Sequence, residues 1–446
     1  MAVAPETRPV RLVLREDDLR RRRLTVLFRL VLALPHLVWL FVWALAAFIV
    51  FVMLWVSVVV GRQALPVFHE FIGSWVRYAT HVSAYLSVAA GPYPGFAGAE
   101  GYPIDIEIDA PARQSRWTAL FRPILALPAL AITLTFGAVL AWSAVAGPFL
   151  IIIVIYPVLF AGGVLTIASI LAWFSSLVRG RCPRGLHDLI AFVLGYAAQA
   201  AGYLLMLTSR YPSTDPATLQ PTPSLPEHPV RLVVRDELQR SRLTVFFRLL
   251  LALPHIVWLA LWSIAAVLAV IAGWFAALVT GRMPSALHRL LAAFVRYAAH
   301  VRAFLILAGA KFPGFTGRQG SYGIDIEIAG PESQRRWKTL FRLILVLPAL
   351  ALTGLLNIVL FVVAVLGWWY AIILGRMPAG LRNIGAAITR YDAQTYSYLF
   401  LLTDRYPYAS PVLEGSPRLD ESQPPSEPPP YEPPPFEAPA PLPQAP

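Results

Sequence analysis

RLTVLFRLVLALPHLVW, residues 23–39, returns almost unchanged as RLTVFFRLLLALPHIVW at residues 242–258. Each copy opens a run with no Asp, Glu, Lys or Arg, Leu30 to Gly61 in the first and Leu249 to Gly281 in the second. Pro123 to Val178 and Leu343 to Gly375 are equally free of charge. A helix crosses the hydrocarbon layer with roughly 20 apolar residues. Each run is long enough to cross, and Pro123 to Val178 is too long for a single crossing.

The repetition extends outward from this stretch. PVRLVLR at residues 9–15 returns as PVRLVVR at 229–235, YPIDIEI at 102–108 as YGIDIEI at 322–328, and RWTALFRPILALPAL at 116–130 as RWKTLFRLILVLPAL at 336–350. The chain reads as a tandem duplication joined in the Pro-rich stretch Ser213 to Pro229, with halves 1–220 and 221–410. Each half is itself double, in units of about 9–98, 102–212, 229–316 and 322–408. A Phe-Arg pair with Pro six residues after the Arg marks all four: Arg29/Pro35, Arg122/Pro128, Arg248/Pro254 and Arg342/Pro348. A Gly-Arg pair closes each apolar run, at Gly61, Gly180, Gly281 and Gly375, as suits a helix C-terminus. A second, less apolar helix follows, with tyrosines at Tyr78, Tyr196, Tyr297 and Tyr391. In unit one this helix carries His69, Glu70, Arg77 and His81, so it either returns across the membrane or lies partly buried or interfacial. Unit two holds an extra apolar stretch broken by Gly147-Pro148, Tyr156-Pro157 and Gly162-Gly163, read as a re-entrant piece or part of a rearranged helix pair.

Short segments between the units alternate apolar and charged residues, the pattern of half-buried strands. Odd units place Arg11 and Arg15, or Arg231 and Arg235, on the polar face; even units place Asp105 and Glu107, or Asp325 and Glu327, there. Opposite charges facing across paired strands contribute about 0.2–1 kcal/mol each. Basic strands are therefore expected to pair with acidic ones in a small sheet at the membrane surface. The fold class that results is a mainly α-helical polytopic membrane protein of four pseudo-repeated strand-plus-helix units. Residues 411–446, rich in Pro and acidic groups, are expected to form a disordered and partly polyproline II tail that could meet a protein partner with an aromatic-lined groove.

Composition agrees: 57% hydrophobic and 14% charged residues, with a mean hydropathy of +0.61, depart from the soluble globular range. The net charge of +12 is carried almost entirely by Arg. These arginines flank the apolar runs, which suits anionic phospholipids and a cytoplasmic location for the strands and the tail, and argues against nucleic acid. The Arg-for-Lys preference, with abundant Ala and Pro, matches the coding bias of a GC-rich bacterium and places the protein in a bacterial cytoplasmic membrane. The first apolar run is too long for a cleaved signal peptide and is expected to stay as an anchor. One cysteine, Cys182, excludes intramolecular disulfides and Cys-cluster metal sites.

No Walker loop, Gly-x-Ser-x-Gly, His-Glu-x-x-His or dinucleotide fingerprint is present, so no catalytic residue, cofactor or metal site is expected. Arg29, Arg122, Arg248 and Arg342 sit about one turn inside the apolar segments. Two readings stay open for them: snorkelling toward the interface, or convergence on a lipid headgroup or another anion. His36/His255 and the pairs Arg77/His81 and Arg296/His300 mark the odd units, either as satisfied histidines or as part of a proton- or anion-responsive cavity.

The strand, the R-L-T-V-x-F-R-L-x-L-A-L-P-H run, the long apolar helix, G-R-x-P and a Tyr-Pro exit together resemble an actinobacterial membrane family filed as domain of unknown function forty-three eighty-nine. The resemblance covers nearly the whole chain apart from the tail. It implies an integral membrane protein and carries over no activity or substrate. The unit-two insertion and the spacing of GRQALP at residues 61–66 depart from it. The functional expectation is a non-enzymatic scaffold or lipid-interacting component of the cell envelope, with a transporter or channel for a small solute or anion as the alternative.

Overall fold

A computed structural model describes residues 8–15, 17–137 and 163–413. Most of the extra apolar stretch of unit two, expected as a re-entrant piece or part of a rearranged pair, and nearly all of the expected tail lie outside these residues. Unit one runs β1 (Val10–Leu14), α1 (Arg23–Leu27), α2 (Arg29–Gly61) and α3 (Pro66–Leu86). Unit two runs β2 (Ile104–Ile108), α4 (Arg116–Leu120), α5 (Arg122–Leu125), α6 (Leu127–Phe136), α7 (Val164–Arg179) and α8 (Arg184–Leu204). Unit three has β3 (Val230–Val234), α9 (Arg242–Phe246), α10 (Arg248–Thr280) and α11 (Ser285–Leu305); unit four has β4 (Ile324–Ile328), α12 (Arg336–Leu374) and α13 (Ala379–Leu399).

The helices form two classes. Helices α2, α10 and α12 are long and apolar enough to cross a membrane. Each buries one face, which on α2 includes Ala33, Ala44 and Ala47 with Leu40, Leu54 and Val58, and turns large apolar side chains outward along its length, from Leu30 to Val60 in that helix. An apolar outer surface of this kind is stable against lipid rather than water. Helices α3, α8, α11 and α13 form the inner class. Many of their polar groups are buried, and the His69-bearing helix of unit one is packed into the core: His69 Nε2 meets the Leu207 carbonyl at 3.1 Å, while Glu70 beside it is exposed.

Outer helices of paired units are joined head to tail at both ends. The arginine opening each unit's first helix donates to a carbonyl in the last turn of its partner: Arg23 to Val178 (3.0 Å), Arg116 to Val60 (2.6 Å), Arg242 to Ile373 (3.1 Å) and Arg336 to Val279 (2.9 Å). A cation suits this place because the last turn leaves carbonyls unpaired. A tryptophan repeats alongside: Trp55, Trp173, Trp274 and Trp368 each donate Nε1–H to a carbonyl of the partner's first turns, at Ala119, Val26, Thr339 and Val245. Reciprocal contacts at both ends require the two units of each half to run antiparallel.

The strands pair basic with acidic, β1 with β2 and β3 with β4, both antiparallel, with Arg11 opposite Glu107 and Arg231 opposite Glu327. They form two separate two-stranded sheets rather than one shared sheet. The first sheet lies along the sides of the inner helices, because glycines there admit its side chains: a Cβ on Gly73 would meet Ile108 at 3.3 Å, and one on Gly202 would meet Val10 at 2.9 Å.

Candidate functional site

The four repeated arginines hold the chain itself. Where a headgroup contact or a snorkelling side chain was expected, Arg29, Arg122, Arg248 and Arg342 are at most 2% exposed. Each guanidinium grips the turn that ends the following inner helix. Arg29 donates to Ala90 and Gly91, Arg122 to Tyr203 and Thr208, Arg248 to Gly309, and Arg342 to Tyr398 and Thr403, all carbonyls. Each also stacks over a ring of the inner helix, at Tyr85, Tyr203, Phe304 and Tyr398, 4.2–4.6 Å from the centroid. The gripped turns contain Val88, Met206, Leu307 and Leu401 in the left-handed region, where residues with a Cβ rarely sit. Four buried cations thus hold four strained helix exits.

The charged strand residues divide. Arg11 is part-exposed and pairs with Glu107 (2.7 Å) and Asp109 (2.8 Å). Arg15 reaches Asp105 at 3.6 Å. Asp105 and Asp325 depart from the expected exposed polar face, being 1% and 5% exposed. Inner-helix histidines cover them: His81 Nε2 meets Asp105 at 2.9 Å and His300 Nε2 meets Asp325 at 2.6 Å, with Arg77 and Arg296 beside them. Burial pushes both carboxyls up, but the histidines and the N–H groups of Gly101/Ile106 and Gly320/Ile326 outweigh it and hold them below the usual range. Arg235 contributes its backbone N–H to Gly323 at 2.6 Å. His36 and His255 are likewise satisfied in part, each meeting a tyrosine hydroxyl (Tyr78, 2.7 Å; Tyr297, 2.6 Å) and stacking on Phe96 or Phe315.

The groups best placed to receive a ligand lie elsewhere, between units three and four. A cavity of about 320 Å³ opens between α10, α11 and α13, lined mainly by apolar side chains including Val267, Phe294 and Phe400. Arg302 and Asp392 face it and form an ion pair; Arg302 Nη1 also donates to Asn357 Oδ1 at 2.7 Å. Ser263 and Asn357 stand near the middles of α10 and α12, the two candidate spans of this half. An ionic group at that level is costly and marks a functional position by default.

No motif points to these three residues, but the duplication does. By repeat alignment Ser83 stands at the position of Arg302, Ala197 at that of Asp392 and Gly137 at that of Asn357. Trp75, 0% exposed, occupies the place of Phe294 and packs with Ala44, Ala47, Ala79 and Ala198. The first half thus carries no charged side chain at the positions where the second carries Arg302 and Asp392, and has the larger Trp75 in place of Phe294. Among the described residues no cluster of His, Cys, Asp and Glu could hold a metal ion. Cys182 is buried among apolar groups, which pushes its thiol up to about 12.

A family model described as "Domain of unknown function (DUF4389)" matches four times, over residues 23–97, 148–214, 242–316 and 336–410. Each match covers an outer helix, an inner helix and the exit turn, and leaves the strands outside. The second begins at residue 148, beyond α4 to α6, so the unit-two departure falls within the repeated element itself. No curated protein and no solved structure matches the chain.

Proposed function

The chain belongs to the DUF4389 family, in four tandem copies, and from that premise we propose a non-enzymatic, lipid-interacting protein of a bacterial cytoplasmic membrane that holds a lipidic ligand between units three and four. The observation that carries this reading is the cavity of about 320 Å³ beside α10. It is within the volume range of small-molecule pockets. Val267, 57% exposed, stands at its rim among the outward apolar side chains of a candidate span. A ligand entering there would come from the acyl-chain layer. The buried Trp75 in place of Phe294, and the lack of either charge at the aligned positions of the first half, support a role specific to the second half.

Transport of a small solute or anion is the second reading. The antiparallel pairing of units and the ion pair near the middle of the candidate spans favour it, since transporters built from inverted repeats bind at such interfaces.

Ala298 lines the cavity one turn from both Phe294 and Arg302. A phenylalanine there occupies the space and leaves the ion pair in place. Native mass spectrometry of the purified full chain is expected to find a bound lipid that Ala298→Phe loses. An unchanged lipid complement in a folded variant would sink the lipid reading. Solute uptake into proteoliposomes that Ala298→Phe abolishes would favour the second.

A further inference from the structure

We infer that Arg302 is the receptor for the acidic head of an anionic amphiphile, and that Asp392 is the internal counter-ion which that head displaces. The inference rests on the lipid reading of the cavity and names the chemistry of its ligand.

The two partners of the ion pair are unequally placed. The Asp392 side chain is 4% exposed and that of Arg302 is 28% exposed. The cavity therefore presents the cation, with the carboxylate behind it. Asn357 and Asp392 both engage the Nη1 side of the guanidinium. Its Nε–H and Nη2–H groups have no hydrogen-bond partner among the described residues. A planar guanidinium with an open edge is matched to the paired oxygens of a carboxylate or phosphate. The remaining lining is apolar, with Val267, Phe294, Tyr396 and Phe400 available to a hydrocarbon chain. Together they fit a molecule with one anionic head and a long apolar tail.

Asp392 sets the condition for binding. Its charge neutralises Arg302 while the cavity is empty, so the cation is tolerated at mid-helix level. An incoming anion competes with it for the same guanidinium. Among the described residues no other charged side chain lines the cavity, and Thr389, Tyr396 and Ser263 are its remaining polar groups. Arg390, the neighbour of Asp392, turns away to the carbonyls of Ser410 and Val412. Removing the Asp392 charge should therefore tighten anion binding, and removing the Arg302 charge should abolish the preference for anions.

The test is titration of the full chain in neutral detergent with oleate, oleyl alcohol and acetate. Oleate is expected to bind about tenfold or more tighter than oleyl alcohol, the difference a charge-assisted contact supplies. Acetate is expected to bind far more weakly than oleate. Arg302→Gln should bring oleate down to the level of the alcohol, and Asp392→Asn should strengthen oleate binding. The double variant Arg302→Gln/Asp392→Asn, which leaves neither charge unpaired, should fold and bind both probes alike. If Arg302→Gln or the double variant keeps the oleate preference while Ala298→Phe loses both probes, the headgroup assignment falls and the lipid cavity stands. If Ala298→Phe binds oleate as the wild type does, both fall. Acetate binding as tight as oleate overturns the amphiphile in favour of a soluble anion.

Discussion

The guanidinium of Arg342 lies over the ring of Tyr398, 4.5 Å from its centroid, and donates to the carbonyl of the same residue at 2.7 Å. A second bond to Thr403 and an ion pair with Asp404 at 2.9 Å complete its surroundings. Arg342→Leu leaves those carbonyls and a carboxylate without their partner, so a loss of about 3–5 kcal/mol is expected, the range for breaking a buried charged pair. Thermal unfolding in detergent measures it. Arg29→Leu should also destabilise, with the copurified lipid unchanged. Full stability with altered lipid would return these arginines to the headgroup role.

Arg11 pairs with Glu107 and Asp109 across the first sheet, at partly exposed positions. Solvent screens such pairs, so Arg11→Ala is expected to cost no more than about 1 kcal/mol. A double-mutant cycle with Glu107→Ala should give a coupling of about 0.2–1 kcal/mol. A coupling indistinguishable from zero refutes the idea that this pair helps fix the register.

These two predictions also mark what the sequence discloses. The fourfold repeat, the long apolar helices and the basic-to-acidic strand pairing are written in local patterns, because helix and strand periods are local properties. Alternation places Asp105 and Glu107 on one face of β2, but it cannot say that α3 covers the first and leaves the second in reach of Arg11. The depth of Arg122 is equally hidden: one turn inside an apolar run suits snorkelling as well as a clamp, and only the packed exit turn of α8 decides. Arg302 and Asp392 come together through the packing of α11 against α13. Their trace in the sequence is a departure from the repeat at Ser83 and Ala197, a signal of difference rather than of motif.

His228 precedes β3 in the joint between the halves. Its Nδ1 lies 3.0 Å from the Val230 N–H, and burial, with Arg390 and Arg405 nearby, pushes the imidazole down to about 4. The fold holds this ring neutral, whereas the unfolded chain protonates near the ordinary value of about 6.5. The contribution is therefore fully present above about pH 6.5. It falls as pH drops toward 4, by at most about 3 kcal/mol. Melting curves from pH 8 to 4 should show that decline, and His228→Asn, which keeps an acceptor for Val230, should flatten it. Equal slopes in both proteins would remove His228 as the cause.

The outer helices end alike but with one residue out of place. Gly180, Gly281 and Gly375 take the left-handed cap after α7, α10 and α12, whereas after α2 the cap falls on Arg62, with φ of 62°, one residue beyond Gly61. A side chain in that region costs about 1 kcal/mol, which glycine does not incur. Gly281→Ala is therefore expected to lose about 1 kcal/mol, although a Cβ there would lie an ordinary 3.7 Å from the Gln334 carbonyl oxygen. Arg62→Gly should gain a similar amount, because the cap depends on the backbone: its N–H donates to Val58 and its carbonyl accepts from Gln114 at 2.8 Å. Paired melting curves decide it. Should Arg62→Gly destabilise, the guanidinium, which lines the surface cleft with Arg116 and Trp117, contributes more than the backbone strain costs.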